Sequence, residues 1–277
     1  MAVIAAGCGS SGKTQPGPPP TAQELVRSSL LAAAESPGAT YDLVIDAKLS
    51  GALPKRLRSY VRTAPHARAT GTIARDLFVA HVSSSIPAIA IVTGDEIAAG
   101  RDFAYLRYRE TWYGSGTHGL VDFWRRLPSL ALGRPATRDE LFALLEGAIH
   151  GSVTAGPSRD GTETWELAGT VDPAALKALL RPLTGYVSGL HVTQIAARSR
   201  AIYDVGRDDF LPRRLRIELH AVRPDLGTRL EAQLPDLHGV DAVIELELTG
   251  WGKQTPVQRP ANPKTYDQYL DRLGLGG

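Results

Sequence analysis

The sequence predicts an α+β protein built on one antiparallel sheet of about ten or eleven strands, with a few helices covering its apolar face. Three observations lead there. Apolar and polar residues alternate with period two in YDLVIDAKLS (41–50), LPRRLRIELHA (211–221) and DAVIELELTGW (241–251), the pattern of strands buried on one side only. The connections between such segments are short and rich in glycine, proline and aspartate, which suits a meander of hairpins and not βαβ crossovers. Two helical blocks interrupt the strands, and one more helix precedes them.

The elements follow in order. Thr21–Glu35 reads as the first helix: Thr21 and Glu24 form a capping box, LVRSSLLAAA follows, and Pro37-Gly38 stops it. In the next segment Tyr41, Leu43, Ile45, Ala47 and Leu49 share one face of a strand, with Asp42, Asp46 and Lys48 on the other. Further strands are expected at Ser59–Thr72, Leu77–Ser83, Ala88–Thr93, Glu96–Ala99 and Phe103–Glu110. Pro87, Gly94-Asp95 and Gly100-Arg101-Asp102 supply their turns. Leu120–Leu132 then reads as a helix carrying Phe123, Trp124, Leu127 and Leu130, and a second capping box, Thr137 with Glu140, opens the helix LFALLEGAI. A hairpin pairs Gly151–Gly156 with Glu163–Thr170 around Arg159-Asp160-Gly161. Asp172-Pro173 starts a helix with proline at its first position, where a missing N–H does no harm. Strands return at Val192–Asp204, Leu211–Ala221, Thr228–Leu234 and Val240–Thr249, and a short helix, Tyr266–Leu273, packs on the rim or frays.

Composition narrows the function classes. The chain of 277 residues is 43% hydrophobic, enough for a sizeable core. Its 31 basic and 29 acidic residues nearly cancel and are spread along the chain, so nucleic acid is not expected as a partner. A single cysteine, Cys8, excludes a disulfide framework and a cysteine-based zinc cluster.

Residues 7–14, GCGSSGKT, match the phosphate-binding P-loop pattern letter for letter. A P-loop needs a helix to begin at its Lys-Thr pair, and here Thr14 is followed by QPGPPP, which no helix interior accepts. The same stretch fits a lipoprotein processing site. Ala5-Ala6-Gly7 are the small residues before cleavage, Cys8 receives the lipid, and residues 8–20 form a tether rich in proline and glycine. At ~3 Å per residue that tether reaches roughly 35 Å from the bilayer. Residues 1–7 are then the remnant of a truncated signal peptide, since a basic region and a longer apolar run are expected ahead of Gly7. Residues 21–277 form a single domain.

Catalytic signatures are lacking in the sequence. The seven histidines are isolated from one another, with no H-E-x-x-H, and there is no G-x-S-x-G. Ser10-x-x-Lys13 lies in the tether without the S-D-N or K-T-G that would give it meaning. The acid pairs Asp95-Glu96 and Asp139-Glu140 are explained by a turn and a helix N-terminus. A pair of distant carboxylates would leave no spacing signal, and nothing points to one. No catalytic residue, metal ligand or cofactor is assigned.

Three stretches carry a resemblance to a known family. GRDFAYLRYRETWY is a glycine-bounded strand with Tyr, Arg and then Trp-Tyr. ETWELAGTVDPAALKALL is a strand running into an Asp-Pro helix start. LPRRLRIELH followed by VIELELTGWGKQTPVQRP ends the sheet with GWGK and a proline. With the processing site, the chain resembles the LppX/LprG-type (LprAFG) actinobacterial lipoproteins, relatives of the LolA and LolB carriers. The resemblance implies a strongly curved antiparallel half-barrel, LolA-like, with helices across its concave face and an apolar cavity between them. It implies a non-enzymatic carrier or binding protein for lipids, lipoglycans or other acylated molecules, anchored on the outer face of the cell membrane through Cys8 and working with an envelope lipid transporter.

On that reading the cavity lining falls to Leu43, Ile45, Leu215, Ile217, Ile244 and Leu246 on the strands and to Phe123, Trp124, Leu144 and Leu179 on the helices. Arg107, Arg109, Arg213, Arg214 and Arg216 either meet anionic head groups or form a solvated strand face. Two other readings stand beside the carrier. One is a surface lipoprotein with a filled core, serving as a structural or protein-interaction module. The other is an enzyme whose polar residues are dispersed in sequence and gather in the cleft.

Overall fold

The computed structural model describes residues 18–52, 64–85, 94–114, 119–181, 190–226, 234–253 and 259–274. Its elements are α1 (Ala22–Glu35), β1 (Ala39–Gly51), β2 (His66–Ala74), β3 (Leu77–Ser84), β4 (Glu96–Gly100), β5 (Ala104–Tyr108), β6 (Thr111–Gly114), α2 (Leu120–Leu132), α3 (Arg138–Glu146), β7 (Ile149–Ala155), β8 (Thr164–Val171), α4 (Pro173–Leu180), α5 (Val192–Arg198), β9 (Arg200–Gly206), β10 (Pro212–Val222), β11 (Leu237–Thr249) and α6 (Tyr266–Arg272).

All eleven strands belong to one sheet in the order β6-β5-β4-β3-β2-β1-β11-β10-β9-β8-β7. Every neighbouring pair is antiparallel. Two meanders therefore fan out from a central pair, β1 and β11. The first and last strands of the meanders meet there, while β6 and β7 lie at opposite edges and leave the sheet curved but unclosed.

Register follows from alternation. Pairing Tyr41 with Leu248, Leu43 with Leu246 and Ile45 with Ile244 puts apolar side chains on the concave face. The same register sends Asp42, Glu245, Glu247 and Asp241 to the convex face, where ion pairs run across the strands. Arg107 meets Glu96 at 2.6 Å, and Glu245 takes Arg214 at 2.6 Å and Arg216 at 3.0 Å. His66 meets Asp46 at 2.7 Å, and His220 meets Asp241.

The helices cover the two ends of the concave face. Over β7–β11, Leu25 and Val26 of α1, Leu176 of α4 and Ile195 and Ala196 of α5 close a core with Leu167, Val205, Ile217 and Leu237. Ser29 of α1 and Tyr203 of β9 share a 2.6 Å hydrogen bond beneath the helix, and burial raises the Tyr203 hydroxyl to about 12. Over β5–β6 lies α6, whose Tyr269 is fully buried against Leu106 and Tyr113. The approach to α6 wraps the sheet edge, because Lys264 bridges to Tyr113 and takes the Trp112 carbonyl at 2.9 Å.

Local signals behave as chemistry dictates. Both capping boxes form, at Thr21/Glu24 and Thr137/Glu140, and a third forms at Thr265/Gln268. The β7–β8 hairpin turns through Asp160 and Gly161, both at positive φ. One expectation is corrected, and one strand joins those expected. Residues 192–198, expected as part of a strand, are helix α5. Val192, Ile195 and Ala196 recur at helical spacing, Ile195 and Ala196 are buried, and the Ser199 hydroxyl donates to the Ile195 carbonyl at 2.7 Å.

The strand expected at Phe103–Glu110 is β5, and a further strand that was not expected, β6, follows it at Thr111–Gly114. They turn at Arg109-Glu110, with φ of 46° and 67°. Such a two-residue hairpin usually carries glycine or asparagine, so its sequence hides it. The strand expected from Ser59 lies at His66–Ala74, with residues 53–63 outside the described ones. Those expected at Ala88–Thr93 and Thr228–Leu234 lie outside or at the border of the described residues, as does all of residues 1–17.

Candidate functional site

Between the two helical covers the described residues leave a stretch of the concave face open. It forms an apolar groove of about 390 Å³ lined by Tyr41, Leu43 and Ile45 of β1, Ala67, Arg68, Ala69 and Ile73 of β2, Phe78, Ala80 and Val82 of β3, Ile97 of β4, and Leu246 and Leu248 of β11. The volume lies within the range of small-molecule sites. Small residues make the trough: Ala67, Ala69, Gly71 and Ala80 stand where larger ones would fill it. At Gly71 a Cβ would come within 1.9 Å of the Val79 carbonyl oxygen, so that strand position needs glycine.

The groove holds little polar chemistry. Arg68 turns its guanidinium to the convex face, bonding Asp42 through Nε at 3.0 Å. Tyr41 spends its hydroxyl on the Val79 carbonyl at 3.0 Å and stacks on Phe78, with centroids 5.7 Å apart and planes 8° apart. Burial raises the Tyr41 hydroxyl well above its ordinary value, so it stays protonated. No nucleophile with an adjacent base lines the trough among the described residues. Among the described residues no group of three or more His, Cys, Asp or Glu is placed to hold a metal. What such a surface can do is remove apolar chains from water.

The structure distributes the lining residues chosen from sequence. Leu43, Ile45 and Leu246 line the groove. Ile217 is buried in the core under α1, α4 and α5, and Leu215 and Ile244 pack against that core. Leu144 is half-buried on α3. Leu179 lies on α4, its side chain outside the described residues. Phe123 and Trp124 sit on α2, 43% and 36% exposed, and are not part of the groove wall. Cys8 is outside the described residues.

Tyr41, Arg68, Ile97 and Leu248 also line the groove without having been expected there, and the alternation of FVAHV and HARATGTI carries the signal for six more, Ala67, Ala69, Ile73, Phe78, Ala80 and Val82. Their small or mixed size made them look like ordinary strand filler.

The five arginines do not gather at the groove. Arg214, Arg216 and Arg107 are held in the convex ion pairs, with Arg107 also 5.8 Å from the Trp112 ring centre. Arg213 is buried against Asp209, and Arg109 lies 5.3 Å from the Tyr108 ring centre.

No protein-family model matches the chain, and neither does any curated protein. Solved structures do. The lipoprotein LppX of Mycobacterium tuberculosis aligns with a TM-score of 0.41 and 13% identity, over 86% of this chain and 98% of that one. LprF from Mycobacterium bovis aligns with a TM-score of 0.37 and 12% identity, over 87% of this chain and 97% of that one. A LolA superfamily protein from Nitrosomonas europaea aligns with a TM-score of 0.22 and 12% identity, over 85% of this chain and 95% of that one. The unclosed, curved antiparallel sheet with helices on its concave face is the architecture that the LppX/LprG resemblance implied.

Proposed function

We propose that this protein is a non-enzymatic carrier or binding protein for lipids or acylated glycolipids or lipoproteins of the bacterial cell envelope, holding acyl chains in the concave groove. The observation that carries the reading is the apolar stretch between the two helical caps that the described residues leave uncovered, lined almost wholly by carbon. Each buried methylene contributes about 0.8 kcal/mol, so ten of them give roughly 8 kcal/mol before the costs of ordering and association. That is enough for loading without a fixed polar ligand. Anchoring through an acylated Cys8 on the outer face of the membrane, and partnership with an envelope lipid transporter, belong to the same proposal. No helix among the described residues is long and apolar enough to cross a membrane.

Native mass spectrometry of the purified full-length protein tests it. Co-purifying lipid is expected, and Ala69→Trp, which puts an indole into the trough, is expected to purify folded and empty. Recovery of no lipid in repeated preparations, together with no uptake of added fluorescent fatty acid, sinks the carrier and leaves the module with a self-sufficient core.

A further inference from the structure

Five large apolar side chains are exposed among the described residues, and four belong to one helix. Val121, Phe123, Trp124 and Leu130 of α2 are 49%, 43%, 36% and 55% exposed. Phe123 and Trp124 form a T-shaped pair with ring centres 5.0 Å apart, an aromatic surface that the described residues leave uncovered. The helix does not lie on the sheet; it packs on α3 and α4.

Both ends of α2 are fixed. The Val121 amide donates to the Arg101 carbonyl at 3.2 Å, in the turn between β4 and β5. At the other end Arg181 donates to the carbonyls of Leu132 and Gly133 at 3.1 and 3.2 Å. The apolar face is therefore a held platform, and its first turn sits beside the strand whose Ile97 lines the groove.

We propose that α2 docks the protein flat on the surface of an anionic lipid bilayer. The choice of a bilayer as occupant rests on the reading of the groove as an acyl-chain site, since a chain taken up there has to leave a membrane beside it. Charge favours the same partner. Arg125 and Arg126 flank the apolar face against a single acid, Asp122, which Arg125 already engages. Arg126 is exposed and has no partner among the described residues, free to reach a phosphate while its stem lies on hydrocarbon.

Thirteen residues are too few to span a bilayer and suit a helix lying in its interface. Tryptophan and phenylalanine favour that depth.

The test uses the full chain carrying Cys8→Ser, so that no acyl anchor is attached, floated with phosphatidylcholine vesicles with and without about 30% phosphatidylglycerol. The parent is expected to float with the anionic vesicles. Phe123→Ser with Trp124→Ser is expected to lower partitioning about tenfold or more. Arg125→Gln with Arg126→Gln is expected to weaken binding on the anionic vesicles alone, and less so at high salt.

A parent that stays in the bulk overturns the proposal, and so does a Phe123/Trp124 variant that floats as well as the parent. Light scattering that shows a dimer lost on the same substitutions assigns the face to a second copy and also overturns it. Uptake of fluorescent fatty acid in vesicle-free buffer is measured on every variant and is expected to be unchanged. Its absence in the parent would defeat the groove reading whatever the flotation shows.

Discussion

Asp172 shows how much one side chain can hold. Its carboxylate accepts the amides of Ala174 and Ala175 at 2.8 and 3.1 Å, capping α4, and meets His150 Nε2 at 3.1 Å across the start of β7. Burial alone would raise its pKa, but His150 and the two amides outweigh burial and leave it below the ordinary aspartate value. A folded value below the unfolded one adds stability that is complete above the ordinary carboxylate range and is lost as the pH falls through the folded value. Asp172→Ala is therefore expected to cost about 1 kcal/mol at neutral pH, read from urea midpoints. The gap between variant and parent should narrow in acid, and a gap that stays constant there contradicts the assignment. The cap was visible in the sequence because Asp-Pro before AALKALL needs no tertiary partner; His150, twenty-two residues away, was not.

At the scale of elements the contrast lies between the covered and the uncovered face. Leu176 of α4 is fully buried in the core under the helices, whereas Leu43 of β1 is half-buried on the groove. Leu176→Ala should cost about 2–5 kcal/mol, as large-to-small changes in packed cores do. Leu43→Ala should cost about 1 kcal/mol or less, because its site is already open and leaves no sealed cavity. Equal losses in denaturant titrations would mean that the groove is packed like a core. Most elements were legible because their signals are local: the alternation of β1, β10 and β11, and the capping boxes of α1 and α3. The failures have local causes too. VTQIAAR is short and mixed, and only the burial of Ile195 and Ala196 against β8 and β10 makes it a helix. The hairpin at Arg109-Glu110 uses left-handed backbone without the residues that advertise it.

At the scale of the molecule, function is proposed to depend on a mismatch between sheet and cover. The sheet has eleven strands, and the described helices lie over β7–β11 and over β5–β6. A ligand that completes the missing cover should stabilise the whole fold, by about 2.7 kcal/mol when present at a hundredfold excess over its Kd. Differential scanning calorimetry with a long-chain fatty acid is expected to show a rise in Tm for the parent and none for Ala69→Trp. A rise of the same size in both would place the ligand elsewhere.

The sequence by itself determined what most short segments do. Period-two alternation sets strand faces and a Thr-x-x-Glu pair sets a helix start, since each of these depends on neighbours a few residues away. Only the tertiary structure decided where the apolar face goes uncovered. Leu43, Leu246, Leu215 and Ile217 carry the same pattern in sequence, yet the first pair lines a groove and the second meets the core beneath the helices. That outcome depends on how far α1, α4 and α5 reach across a curved sheet, a long-range packing result that no local period encodes.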